Sequence, residues 1–225
     1  MKTGTILSLA LWPQTFLYQR ISQADVIILL TDREVNKTNH VNRCVIRTAT
    51  DNFKNITLPI REENIPADCT RIEDKTAWAS QFLRDVRRSY RGLPYQVQVE
   101  QMVSGAVERC HSPWLVDVLM LFFLSTLEKL NWNKKVIFRG PSVQRRCHPT
   151  ESEFLLDLCI ESGCDRLLLG RGQQMNLHQK MFRRNEIGLM SQRWEGSKYL
   201  PPRDSILDLM ARYSTEDINT HLTKQ

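Results

Sequence analysis

The feature that most constrains the fold is an unbroken apolar run, Val26-Ile27-Ile28-Leu29-Leu30, set between Asp25 and Asp32. A β-rich apolar run of this length, bounded by polar residues, reads as a strand. Residues 5–11 read as a buried first strand and residues 14–23 as a short helix between the two. The chain therefore opens as a βαβ unit, and such units lead to a sheet covered by helices.

The same alternation continues downstream. Residues 43–48 and 52–58 flank the turn signal Thr50-Asp51-Asn52 and read as a hairpin that begins at Asn42 and Arg43. Pro59 and Pro66 interrupt regular structure, and the charge-rich stretch 60–74 reads as a surface loop. Trp78, Phe82, Val86 and Tyr90 then recur every four residues, which predicts an amphipathic helix over 75–91. A second helix is expected over 95–107, and a largely buried third one reaching Leu130, with Ser112 as N-cap and Pro113 in its first turn. Residues 135–139 and 166–169 read as strands. Between them Thr150 and Glu153 have capping-box spacing, and Gly163 stops the helix that they open. A helix at 176–184, a short strand at 187–190 and a helical region from Asp204 onward complete the pattern. The expectation is an α/β fold with a mixed or mainly parallel sheet covered by helices, one domain over residues 1–225, and residues 75–132 as a candidate helical insert.

At 225 residues the chain is long enough to bury a core over which charged groups are displayed. Its 31 basic and 25 acidic residues give a net charge of +6 and a pI of about 9.1. That excess suits a phosphate-bearing ligand or a nucleic acid and falls short of a dedicated polycation. Six cysteines (Cys44, Cys69, Cys110, Cys147, Cys159, Cys164) form no dense framework and no Cys-x-x-Cys pair, which fits reduced thiols in the cytoplasm. Pro13-Gln14-Thr15 stands where a signal peptide would need small residues. The most apolar run, 114–127, is shorter than the ~20 residues that cross a bilayer. A cytoplasmic protein without a membrane span is expected, with peripheral membrane contact left open.

Chemistry is sought first after the second strand, because open α/β sheets bind ligands at strand carboxyl ends. Asp32 and Lys37 form a candidate catalytic pair there, Asp32 as general base and Lys37 as the neutraliser of a phosphate or carboxylate; ordinary solvated loop charges are the alternative. Asn42 and Arg43 could hold an anion through a planar guanidinium beside an amide, or could fix the start of the hairpin through backbone hydrogen bonds. Gly170 and Gly172 follow a strand and precede a helix. They could bring backbone N–H groups to a phosphate, or serve a tight turn, and they lack the spacing of a phosphate loop. Ser205 and Asp208 stand one helical turn apart, which suits either a helix cap or a contribution to an anion site.

Arg84, Arg87, Arg88 and Arg91 fall on one helix face. Such a stripe can track a nucleic-acid backbone, or it is an ordinary solvated face diluted by Asp85. The dipeptides Cys110-His111 and Cys147-His148 lack a four-ligand spacing, so no metal is assigned. No Gly-x-Ser-x-Gly elbow is present, and no cofactor is named.

The blocks Ala24-Asp25-Val26, Asp32, Lys37, Asn42-Arg43 and Ser205-Ile206-Leu207-Asp208-Leu209, with Pro13, Leu58-Pro59, Gly170 and Gly172, resemble the WbqC-like protein family. Ser8-Leu9 stand where the family has Gln-Pro. His40 replaces its aromatic residue before the Asn-Arg pair, and Val45 replaces its second arginine. The family is linked to surface-polysaccharide (O-antigen type) gene sets. The resemblance implies a transferase that modifies a glycan or an activated sugar intermediate and takes a phosphate- or carboxylate-bearing small molecule. Two alternatives stay open: a nucleic-acid-binding or DNA-modifying transferase that uses the arginine stripe, and a noncatalytic scaffold that offers the 114–127 region as a hydrophobic contact.

Overall fold

The computed structural model describes residues 1–36, 39–140, 150–193 and 204–223. Five parallel strands form the central sheet: β1 (Thr3–Ser8), β2 (Val26–Leu30), β7 (Lys135–Arg139), β8 (Arg166–Leu169) and β9 (Gly188–Ser191), in the order β7-β2-β1-β8-β9. A two-stranded antiparallel hairpin, β4 (Arg43–Arg47) with β5 (Phe53–Thr57), and a short pair, β3 (Glu34–Val35) with β6 (Ile65–Pro66), lie outside it. Eight α-helices are present among the described residues: α1 (Thr15–Ser22), α2 (Lys75–Ser89), α3 (Gln96–Arg109), α4 (Leu115–Lys129), α5 (Glu151–Ser162), α6 (Gln179–Arg184), α7 (Ile206–Arg212) and α8 (Thr215–Thr223).

β2 explains why helices cover both faces. All five of its residues are buried, and successive side chains on a strand point to opposite faces. Ile27 and Leu29 enter a core shared with α1, the hairpin, α2–α4 and the C-terminal helices. Val26, Ile28 and Leu30 enter a second core capped by Phe154, Leu158 and Phe182 of α5 and α6. A continuous apolar strand is stable only where neither face meets water. Helices α2–α4 interrupt the βα alternation between β6 and β7, yet Phe82, Val103 and Phe122 pack in the same core as Leu7 and Ile27.

Local signals set several boundaries. The Thr150–Glu153 capping box is formed, and Gly163 ends α5 in the left-handed region at φ 66°. The hairpin pairs Arg43 with Thr57 as expected. The stretch 60–74 is largely exposed, as expected of a surface loop, and is pinned to the core by buried Ala67, Thr70 and Ile72 and by the pairing of Pro66 with Glu34. One expectation is corrected. Helix α4 begins at Leu115 after Trp114, and Ser112 Oγ accepts the Trp114 N–H at 3.2 Å without capping the helix. Most of the apolar 114–127 run is core, with Leu115, Leu119, Phe122 and Phe123 buried, while Leu124 stays exposed. No helix among the described residues is long and apolar enough to cross a membrane.

β1 and β8 approach closely because Gly4 has no side chain: a methyl there would stand 2.6 Å from Cys164 Sγ and 3.3 Å from its Cβ. Gly4→Ala is expected to lower stability by about 1–3 kcal/mol through this overlap. The readout is a lower urea midpoint at an unchanged m-value, with most of the loss recovered in Gly4→Ala/Cys164→Ala. An unchanged midpoint in the single variant would show slack between the strands.

Candidate functional site

Chain order along the sheet reverses at β1, with β2 on one side and β8 on the other. In open α/β sheets the crevice outside the strand carboxyl ends at such a reversal is where ligands bind. A cavity of about 1030 Å³ opens there, walled by the segment after β1, one face of α1, the 39–45 loop, the start of α5 and the turn after β8. The segment after β1 is tied down on two sides, by Leu9 N–H to Leu30 O at 2.8 Å and Leu11 N–H to Val41 O at 2.9 Å. Trp12 on this wall has φ 37°, a strained value for a side chain of its size. Its ring is wedged 4.6 Å from that of Phe122 and 5.7 Å from that of Phe82. Its carbonyl accepts the Ser205 hydroxyl at 3.2 Å.

Among the described residues the wall carries Arg20, Arg33, Arg43 and Arg171 against one carboxylate, Glu151. Arg20 is the unusual member, because it is only 4% exposed. It lies in the last turn of α1, where the helix dipole favours a cation. Phe16, Leu17 and Arg20 share that helix's cavity face, at i, i+1 and i+4. Arg20 NH1 donates to Gln173 Oε1 at 3.1 Å. Among the described residues it forms no ion pair, and its Nε has no hydrogen-bond partner. Burial alone lowers its pKa to about 10, so it remains charged at neutral pH. A buried guanidinium with no carboxylate beside it is costly. The cavity gives that charge a place to meet an anion.

The sequence candidates separate. Arg43 lies on the wall, half-buried, with its Nε donating to Asn39 O at 2.9 Å. Asn42 turns away: its Nδ2 donates to Leu58 O at 2.9 Å, and its own carbonyl accepts the Leu58 N–H at 2.8 Å. Consecutive residues entering a strand face opposite ways, so the pair cannot share one ligand through both side chains. Gly170 lies on the wall, while Gly172, at φ 81°, shapes the turn behind it. Asp32 is not on the wall; it adjoins Asp68, whose pKa is raised by burial first and also by the Asp32 charge. Lys37 and the Cys147-His148 dipeptide lie outside the described residues. Arg84, Arg87 and Arg88 on α2, and Arg91 just past its end, are exposed and away from the cavity, with Arg87 paired to Glu100 at 2.9 Å and Arg84 donating to Gln81 at 2.8 Å. No three His, Cys, Asp or Glu side chains gather as metal ligands among the described residues.

Ser205 reaches the wall, and Asp208 does not. They form a capping box, with the Ser205 N–H donating to Asp208 Oδ2 at 2.9 Å. Asp208 Oδ1 also accepts the Arg47 N–H at 2.8 Å and the Tyr90 hydroxyl at 2.9 Å, clamping the hairpin and α2 to α7. Cys44 lines the cavity, but burial first and the Asp208 charge second push its thiol well above the ordinary range, so it is no ready nucleophile.

The sequence profile of the WbqC-like protein family matches residues 10–220. The chain belongs to the WbqC-like protein family. No curated protein and no solved structure matches it. In this WbqC-like chain the matched span takes in every described residue of the cavity wall from Ala10 to Ser205. Sequence reading missed Arg20, Arg33, Arg171 and Gln173. The only local trace of Arg20 is its helical spacing from Phe16 and Leu17.

Burial, outweighing the three hydrogen bonds that oppose it, raises Asp208 from 3.8 to about 7. The folded chain then holds a proton that the unfolded chain has released, so this group's contribution to stability falls as pH rises from about 4 to about 7. Asp208→Asn is expected to flatten that part of the slope and to cost about 2 kcal/mol at pH 4, because an amide NH₂ faces a backbone or hydroxyl donor. Urea unfolding across pH 4–8 reads both effects. An unchanged slope would mean that Asp208 is ionised throughout.

Proposed function

We propose that this WbqC-like protein is a group transferase that acts on an activated, anionic sugar or glycan intermediate. The observation that carries the reading is the buried Arg20 guanidinium, without a described carboxylate partner, on the wall of a cavity at the sheet's reversal point. Family membership adds the glycan context that the resemblance implies. Arg20, Arg33, Arg43 and Arg171 hold the anionic portion of the ligand, since charge-assisted hydrogen bonds from guanidinium groups suit phosphate and carboxylate oxygens. The apolar side chains Trp12, Phe16, Leu17 and Leu155 on the same wall give a nonionic portion a dry surface. Proton transfer falls to His40 and Glu151, which line the cavity, in place of Asp32, which does not.

The test is incubation of the purified protein with nucleotide-sugars and acyl or aminoacyl donors, with products read by mass spectrometry and binding by calorimetry. Turnover or saturable binding is expected. Arg20→Met should weaken binding at least about ten-fold while the melting temperature holds or rises, because an apolar side chain replaces a poorly compensated buried charge. Arg43→Lys keeps the charge and loses the planar fork, so affinity should drop several-fold with the fold intact. A lower melting temperature with unchanged affinity per folded molecule would make Arg43 a hairpin anchor. Absence of any small-molecule binding, together with DNA retention that weakens steeply with salt, would replace this reading with the nucleic-acid one.

A further inference from the structure

At one corner of the cavity a neutral amide holds a buried cation, with no carboxylate paired to it among the described residues. Gln173 Oε1 accepts the Gly170 N–H at 2.7 Å and Arg20 NH1 at 3.1 Å. These two donors fix the amide's orientation, because Nε2 in place of Oε1 would face donors only. The Gln173 NH₂ therefore points away from them. Both lone-pair positions of the only side-chain oxygen in this cluster are already used. A glutamate of the same shape would make the same two hydrogen bonds and would also neutralise Arg20. Glutamine makes them and leaves the cation uncompensated. The residue at 170 is equally constrained: a methyl there would stand 2.8 Å from Arg20 NH1 and 3.0 Å from Gln173 Oε1, so glycine admits the pair.

We infer that Arg20, Gln173 and Gly170 form a subsite for a phosphate or diphosphate group, with Gln173 as the positioning residue that holds Arg20 and leaves its charge for the ligand. The inference rests on reading this cavity as an anion site and adds the class of anion. The guanidinium donors of Arg20 favour a fully ionised group with lone pairs on every side. A hydroxyl or a protonated acid would turn a hydrogen toward a cation that can only donate.

The experiment compares the full chain with Gln173→Glu and Gln173→Ala, using inorganic pyrophosphate as the probe in thermal-shift and calorimetric titrations. The unaltered chain should bind pyrophosphate and melt higher in its presence. Gln173→Glu should melt higher than the unaltered chain without ligand, yet bind pyrophosphate about ten-fold or more weakly, since the built-in carboxylate takes the ligand's place. Gln173→Ala keeps the charge and frees the guanidinium, so it should bind several-fold more weakly with no gain in melting temperature. Uridine diphosphate and geranyl diphosphate, run in parallel, separate a nucleotide carrier from a lipid carrier of the same group, and both should lose affinity in Gln173→Glu. Pyrophosphate binding that is absent in the unaltered chain, or equal in Gln173→Glu, overturns the inference. So does a pair of variants that both melt lower with affinity per folded molecule unchanged. Sugar transfer that persists beside such a result leaves the transferase reading standing, whereas pyrophosphate binding as expected without any transfer removes that reading and leaves this one.

Discussion

The site depends on where β1 lies. Hydrogen-bonded to β2 along its whole length and to β8 at its start, β1 forces the chain to build outward first in one direction and then in the other. Two connections therefore leave the sheet on opposite sides of a single strand end, and the space between them has no backbone to fill it. The approach of β8 rests on Gly4, whose missing side chain leaves room for Cys164. The cavity is in this sense a product of topology, and side-chain chemistry only decorates it.

That decoration is lopsided. Among the described residues of the wall, four arginines stand against one glutamate, in a chain whose overall excess of basic residues is modest. The positive field is thus concentrated at the strand ends, where low-dielectric walls strengthen it, and is diluted on α2, where Arg87 meets Glu100 and Asp85 meets Lys54. Buried Asp208 is partnered by Tyr90, Arg47 and Ser205, whereas among the described residues Trp78 Nε1 and Ser162 Oγ have no hydrogen-bond partner, so a buried polar atom without one is not peculiar to the cavity. Arg20 differs from these in carrying a full charge beside the cavity.

How much of this was legible in the sequence depends on the range of the interaction. Val26–Leu30, the Thr150–Glu153 box and Gly163 are set by neighbours within a turn or a strand, and each took the expected form. The charge of the stretch 60–74 marked it as an exposed loop, but gave no sign that Ala67, Thr70 and Ile72 would pin it to the core, because their partners lie outside the stretch. At the site, Arg43 and Gly170 could be picked out because they adjoin strand ends. Arg20 could not, because its burial is completed by Gly170 and Gln173, about 150 residues away. Asn42 and Arg43 read as one motif in sequence, yet an extended backbone sends their side chains apart.

The wall also joins remote parts of the chain. Thr15 holds the Asp204 carbonyl through both its N–H and its hydroxyl, each at 2.8 Å, and Ser205 closes onto the Trp12 carbonyl. The start of α1 is thus locked by a segment 189 residues further along the chain. A chain clipped before residue 204 would keep Arg20, Arg33, Arg43 and Arg171 and still lack the closing edge of the cavity. The charges of the wall and its seam come from different stretches of the chain, so a trimmed copy would lose the enclosure with its charges intact.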